Sequence, residues 1–139
     1  MQTKATGQPT LNTLANEKPV VLFADDTVWY RRELARHLTR ECGLRVLHAD
    51  HALEALRTLE RRPDVSIVVA DEKYPHGPSG SMLLEAVGNR WPHMKRILLS
   101  AYTTGEMISD GVERGYDVRD KSLSMGEIAE IVCAMANAA

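Results

Sequence analysis

Five short apolar runs, most of them rich in β-branched residues, alternate along this chain with segments of helical period. No other feature narrows the fold as much. The runs occupy residues 20–24, 44–48, 65–70, 96–100 and 116–119, the last being the least apolar. Between them Tyr30, Leu34, Leu38 and Cys42 recur every four residues. Ala52, Ala55, Leu56 and Leu59 make a second apolar face, and Leu83, Leu84, Val87 and Trp91 a third. Met107, Ile108 and Val112 predict a fourth helix, and Ile128, Ile131, Val132 and Met135 a fifth. Local signals agree. Pro19 suits the opening position of a strand, where a missing N–H is tolerable. Thr103 with Glu106, and Ser124 with Glu127, fit capping boxes. Gly43 suits a left-handed helix end, and Pro92 limits the third helix.

Strands that alternate with helices pair in parallel, and the helices then cover both faces of the sheet. The run VSIVVA, apolar almost throughout, reads as a central strand. Right-handed crossovers bring every strand's C-terminal end to one edge, where open sheets bind their ligands.

Length and composition set the remaining bounds. A chain of 139 residues suffices for one domain with a core. Residues 1–17 are polar and aperiodic and read as a flexible arm, leaving 18–139 as the domain. A net charge of -2 gives no general attraction to nucleic acid or an anionic membrane. The apolar runs are too short to span a bilayer, and the N-terminus lacks the apolar stretch of a signal peptide. On these features the expected location is the cytoplasm. Cys42 and Cys133 form no CxxC or disulfide framework and read as two buried thiols in a reducing compartment. The histidines lack metal-ligand spacing, and Arg31-Arg32 and Arg61-Arg62 read as solvated helix faces.

The strand ends carry the chemistry. Asp25 and Asp26 follow the first strand, Asp71 the third and Ser100-Ala101 the fourth; Lys121 lies just past the fifth. Singly, each has a plain reading: Asp26 as a helix cap, Asp71 as a turn residue, Lys121 as a surface lysine. Together they put three carboxylates, a hydroxyl and an ammonium on one edge. Three carboxylates repel, and a divalent cation plus an ammonium relieves the repulsion. Such a site is prepared for a phosphoryl group, with one carboxylate as nucleophile.

In this order and on this alternation, the residues resemble the receiver domain of a two-component response regulator. The resemblance covers residues 18 to 137, and ADHALEAL and DEKYPHGPSG resemble the family's second helix and its loop after the acceptor aspartate. It implies a flavodoxin-like, doubly wound (βα)5 fold with strand order 2-1-3-4-5. It implies Asp71 as phosphoacceptor, with phosphoryl supplied by a histidine kinase or phosphotransfer protein. Mg²⁺, or Mn²⁺ in its place, would be held by Asp26 and Asp71 directly, by Asp25 largely through water, and by the main-chain carbonyl of Lys73. Ser100 would bond the phosphoryl oxygen, and Lys121 would pair with the carboxylate and then the phosphate. Lys73 and Tyr102 are the positions that tune hydrolysis, and Ser100 and Val118 fall in the switch region. The domain would be a signalling module rather than an enzyme, acting on an unidentified downstream protein through its fourth helix, fifth strand and fifth helix. A homodimer through that face stays open, although no residue argues for it, and no direct contact with nucleic acid or membrane is expected. The chain ends after the fifth helix, as a stand-alone regulator or a portion of a longer protein would.

The sequence also departs from that family. Ser122 stands where the family has proline, and Val118 where it often has the aromatic that swings on activation. The 115–121 stretch is one residue short, and the loop after Asp71 one residue long, around His76-Gly77. These departures keep a second reading open, a pseudo-receiver that binds without being phosphorylated. A third reading is an aspartate-nucleophile phosphohydrolase of the haloacid dehalogenase type. That chemistry wants a second aspartate where Lys73 stands. No GxxxxGK[ST] loop is present, which excludes a P-loop GTPase.

Overall fold

Ten elements alternate without exception in the computed structural model, which describes residues 19–138. In chain order they are β1 Val20–Ala24, α1 Val28–Cys42, β2 Arg45–Ala49, α2 Ala52–Arg61, β3 Val65–Asp71, α3 Gly80–Arg90, β4 Lys95–Ser100, α4 Gly105–Arg114, β5 Asp117–Asp120 and α5 Met125–Asn137. The arm expected at residues 1–17 lies outside the described residues. All strand pairs are parallel, in the order β2-β1-β3-β4-β5. This is the doubly wound flavodoxin-like sheet that the resemblance implied.

Strand alternation divides the core into two layers. Val21, Phe23, Ile67, Val69, Ile97 and Leu99 pack against α1 and α5 through Tyr30, Leu34, Leu38, Ile128 and Val132. Leu22, Val68, Leu98 and Val118 face α2 and α3 through Ala55, Leu59, Leu83, Leu84 and Val87. β1 is buried along its whole length because it has a strand on each side and helices on both faces. Phe23 is 0% exposed, so its burial contributes on the order of 1.5–3 kcal/mol.

Helix ends follow local chemistry. Gly43 closes α1 at φ 67, its N–H donating to Leu38 O and Thr39 O. The capping box of α5 is present: Glu127 N donates to Ser124 Oγ at 3.1 Å, and Ser124 N to Glu127 Oε1 at 3.0 Å. Ser124→Ala should therefore lower stability by about 1 kcal/mol, read from the urea midpoint at unchanged slope. Gly80 opens α3 because a Cβ there would collide with the carbonyl oxygen of Asp71.

Five expectations need correction. Arg31, expected on a solvated helix face, is largely buried and donates to Asp25 O at 2.7 Å. β2 and β5 begin and end one residue later than their apolar runs suggest. α4 is capped by Thr104, whose Oγ1 accepts from Met107 N at 3.2 Å; Thr103 instead donates to Ser100 O. Of the apolar face expected on α4, Met107 is half-buried against the core while Ile108 and Val112 are turned outward, 48% and 77% exposed. Gly111 is the residue α4 buries, because a Cβ there would strike Tyr116 O and Val118. Finally, Cys42 and Cys133 are joined in a disulfide with Cα atoms 6.1 Å apart. The free-thiol reading followed compartment statistics. The α1–α5 packing that sets the two cysteines side by side joins positions 91 residues apart and leaves no spacing signature.

Candidate functional site

Four of the five strands, β1, β3, β4 and β5, bring polar groups to the same rim. At the end of β1, Asp25 is fixed by its N–H to Ala49 O (3.0 Å) and by its Oδ1, which accepts from Thr27 N (2.8 Å). Its side chain is 0% exposed, whereas Asp26 is exposed. Thr27, not Asp26, is the N-cap residue of α1. At the end of β3, Asp71 is buried. The next residue, Glu72, donates its N–H to Leu99 O (3.0 Å) and accepts from Ser81 N at Oε1 (2.8 Å), tying the strand end to the start of α3. At the end of β4, Ser100 is buried and its Oγ accepts from Tyr102 N at 3.2 Å. Past β5, Lys121 N donates to Ser100 O at 2.8 Å.

The side chains converge. Lys121 Nζ lies 2.8 Å from Asp25 Oδ2 and 3.3 Å from Asp71 Oδ1. Asp25, Asp26 and Asp71 each bring one carboxylate oxygen within 4.8 Å of the others. Beside them is a cavity of about 140 Å³ lined by Asp71, Glu72, Lys73, Ser100, Ala101, Tyr102 and Lys121. Tyr102 is exposed, and Lys73 Nζ sits 5.7 Å from its ring centroid.

Electrostatics follow from this crowding. Burial, then the nearby charge of Asp25, push the Asp71 carboxyl from 3.8 up to about 6, against the opposing pull of Lys121. Burial works against the charge on Lys121, yet the hydrogen bond and charge of Asp25, with Asp71 behind them, raise it above the ordinary lysine range. Its ammonium also lies 4.3 Å from the Tyr30 ring centroid. Burial, followed by the charges of Asp25 and Asp71, raises the Tyr30 phenol well above its usual range.

The donor set fits a hard divalent cation: clustered carboxylate oxygens, one of them on an exposed side chain and two counterbalanced by an ammonium. The expected residues Asp25, Asp26, Asp71, Ser100 and Lys121 meet at one place, with Lys73 and Tyr102 at its mouth. Sequence reasoning missed three supports. Tyr30 was read as core alone, although it stands under the ammonium. Tyr74 donates its hydroxyl to Ala24 O at 3.0 Å, and Glu72 anchors α3. An acid directly after the candidate nucleophile and an aromatic within its loop were the available signals.

No family model matches the chain. The hydrogenase transcriptional regulatory protein HoxA of Cupriavidus necator is 37% identical over 99 residues, which are 71% of this chain and 20% of HoxA. The chain thus spans about a fifth of the length of the curated relative it matches. Among solved structures, a CheY-like response regulator receiver domain protein from Methanospirillum hungatei JF-1 superposes with a TM-score of 0.78 at 24% identity, covering 87% of this chain and 95% of that one. The receiver domain of the response regulator NarL from Mycobacterium tuberculosis gives 0.78 at 22% identity, covering 88% and 99%. A CheX–CheY–BeF3–Mg complex from Borrelia burgdorferi gives 0.76 at 23%, covering 84% and 87%.

This is the response-regulator receiver fold.

Within that fold, Val118 is buried in the sheet layer facing α2 and α3. Ser122 supplies a main-chain N–H, donated to Asp120 Oδ1 at 2.8 Å, that a proline would lack. No helix among the described residues is long and apolar enough to cross a membrane.

Proposed function

We propose that this receiver accepts a phosphoryl group on Asp71 from a histidine kinase or phosphotransfer protein, in a Mg²⁺-dependent reaction in the cytoplasm. One observation carries the reading. The ammonium of Lys121 bridges Asp25 and Asp71 beside Asp26, at the edge of a cavity whose size suits a phosphoryl group. An Asp71 oxygen attacks phosphorus, the P–N bond to the donor imidazole breaks, and its electron pair leaves with the ring. The product is an acyl phosphate. Bound Mg²⁺ would neutralise the phosphoryl oxygens as negative charge gathers there. Asp25, Asp26, Asp71 and the carbonyl of Lys73 would hold it, with Mn²⁺ an alternative. Lys121 then exchanges the Asp71 carboxylate for a phosphoryl oxygen, and the Ser100 hydroxyl donates to another.

The chain is on this reading a signalling domain rather than an enzyme. Its output is a changed protein contact through α4, β5 and α5, where Ile108 and Val112 supply exposed apolar surface. HoxA is a transcriptional regulatory protein; for this chain we carry over regulation through a partner protein, without direct contact to nucleic acid. Incubation with phosphoramidate and Mg²⁺ tests the reading by intact mass. One added phosphoryl group, absent in Asp71→Ala, supports it. Catalytic turnover of a generic phosphate ester would favour the phosphohydrolase, and an unchanged mass the pseudo-receiver.

Tyr102 and Lys73 flank the entry to the cavity, so they set how water reaches the acyl phosphate. Tyr102→Ala and Lys73→Asn should each shorten the phosphoryl lifetime severalfold, measured as decay of the phosphorylated mass. Unchanged decay in both would remove them from this role.

A further inference from the structure

The ammonium of Lys121 sits at the end of a flexible chain, so its placement depends on how the backbone at 121 is held. That backbone is held on both sides. Ahead of it, Lys121 N donates to Ser100 O at 2.8 Å. Behind it, Asp120 closes the turn twice: its carboxylate accepts from Ser122 N at 2.8 Å, and its carbonyl accepts from Leu123 N at 3.2 Å. The first is an Asx turn and the second a β-turn, with Lys121 at the first central position of the β-turn. Asp120 is also the β5 partner of Ser100 in the sheet register. Thr103 Oγ1 donates to the same Ser100 carbonyl at 3.4 Å. Hydrogen bonds from Ser122, with a smaller contribution from Thr103, hold the Asp120 carboxyl below the usual carboxylate range. The carboxylate thus stays an acceptor at neutral pH, and the loops after β4 and β5 are braced together.

We propose that Asp120 is a positioning residue, whose side chain fixes the turn through Lys121 and so keeps the ammonium on Asp25 and Asp71. It touches neither the acceptor nor its counter-charge and acts through the backbone of its neighbour. The brace needs the N–H at position 122, which accounts for the absence of proline there. A proline at 122 would remove that donor and set the turn by its ring instead. The inference rests on the phosphoacceptor reading for its effect on rate, but the geometry of Lys121 can be read without it.

The test compares Asp120→Ala, Asp120→Asn and wild type in two measurements, with circular dichroism confirming the fold. The first is the phosphoramidate labelling rate at saturating Mg²⁺. Asp120→Ala should slow it by about tenfold or more, since a small misplacement of a reacting group is costly. Asp120→Asn, whose amide oxygen still accepts from Ser122 N, should restore it to within about threefold of wild type. In a Ser122→Pro background, Asp120→Ala should have little further effect, because the bond it removes is already gone. The second measurement is the acetylation rate of Lys121 by acetic anhydride, followed by peptide mass. It should rise in Asp120→Ala and not in Asp120→Asn. If wild type is not labelled, the phosphoacceptor reading fails, and the acetylation series still decides the role of Asp120. Wild-type labelling and acetylation rates in Asp120→Ala would overturn the inference and leave the phosphoacceptor reading intact.

Discussion

Lys121→Met should lower the stability of the protein in EDTA at pH 8 by about 3 kcal/mol, the range for removing one partner of a buried ion pair. The reason lies in what is left behind. Asp25 has a side chain 0% exposed, and Lys121 is the cation beside its Oδ2. Without the ammonium, Asp25 and Asp71 face each other without the cation that pairs them, and the fully buried Asp25 carboxylate cannot turn to water. Two dependences separate this from a simple loss of packing. Mg²⁺ should recover part of the lost stability, because a cation in the cluster does the same electrostatic work. Acid should recover it as well, since a carboxyl that takes a proton ends the repulsion. Urea unfolding in EDTA, in Mg²⁺ and between pH 5 and 8 measures all three. A loss indifferent to pH and metal would mean that Lys121 contributes only its aliphatic stem.

Asp71→Asn has the opposite sign. Its folded-state carboxyl titrates at about 6 against an ordinary 3.8. Between those values the native state binds more protons than the unfolded state, so this group's contribution to stability falls as pH rises through the window. Above it the carboxylate carries a full penalty that the amide does not. The shift corresponds to about 3 kcal/mol at most, at 1.36 kcal/mol per pKa unit. In EDTA at pH 8, Asp71→Asn should therefore be more stable than wild type by about 2 kcal/mol. The gain should close as pH falls toward 4 and shrink in Mg²⁺, which binds the wild type better. A destabilised Asp71→Asn at pH 8 would show that Lys121 outweighs burial and Asp25 at this position. The same variant should take up no phosphoryl group.

Much of this site was readable before the fold was seen, for a physical reason. A parallel sheet with short loops puts the residue after each strand at the same edge. Asp25, Asp71, Ser100 and Lys121 could therefore be brought together from strand positions alone. What was not readable depends on contacts between elements. The Met107, Ile108 and Val112 period implied a buried face, yet α4 approaches the sheet through Gly111 and Met107, and Ile108 and Val112 face water. Cys42 fell on the inner face of α1, but its pairing with Cys133 needs the packing of α1 on α5. Thr103 and Thr104 are equivalent by composition, and only the strand end at Ser100 decides which one caps. Ser122 looked like the loss of a proline until the turn showed its N–H in use. The double role of Tyr30, core residue and ring beneath an ammonium, is invisible to periodicity because both roles place it on the same face.

The central claim is that Asp71, rather than another nucleophile, becomes an acyl phosphate. Borohydride trapping addresses it at the level of the bond. An acyl phosphate is reduced to an alcohol, whereas a free carboxylate and a phosphoserine are not. After labelling with phosphoramidate and Mg²⁺, then reduction and digestion, homoserine is expected at position 71, dependent on Mg²⁺. A labelled protein with position 71 still aspartate, or homoserine formed at position 25 or 26 instead, would contradict it.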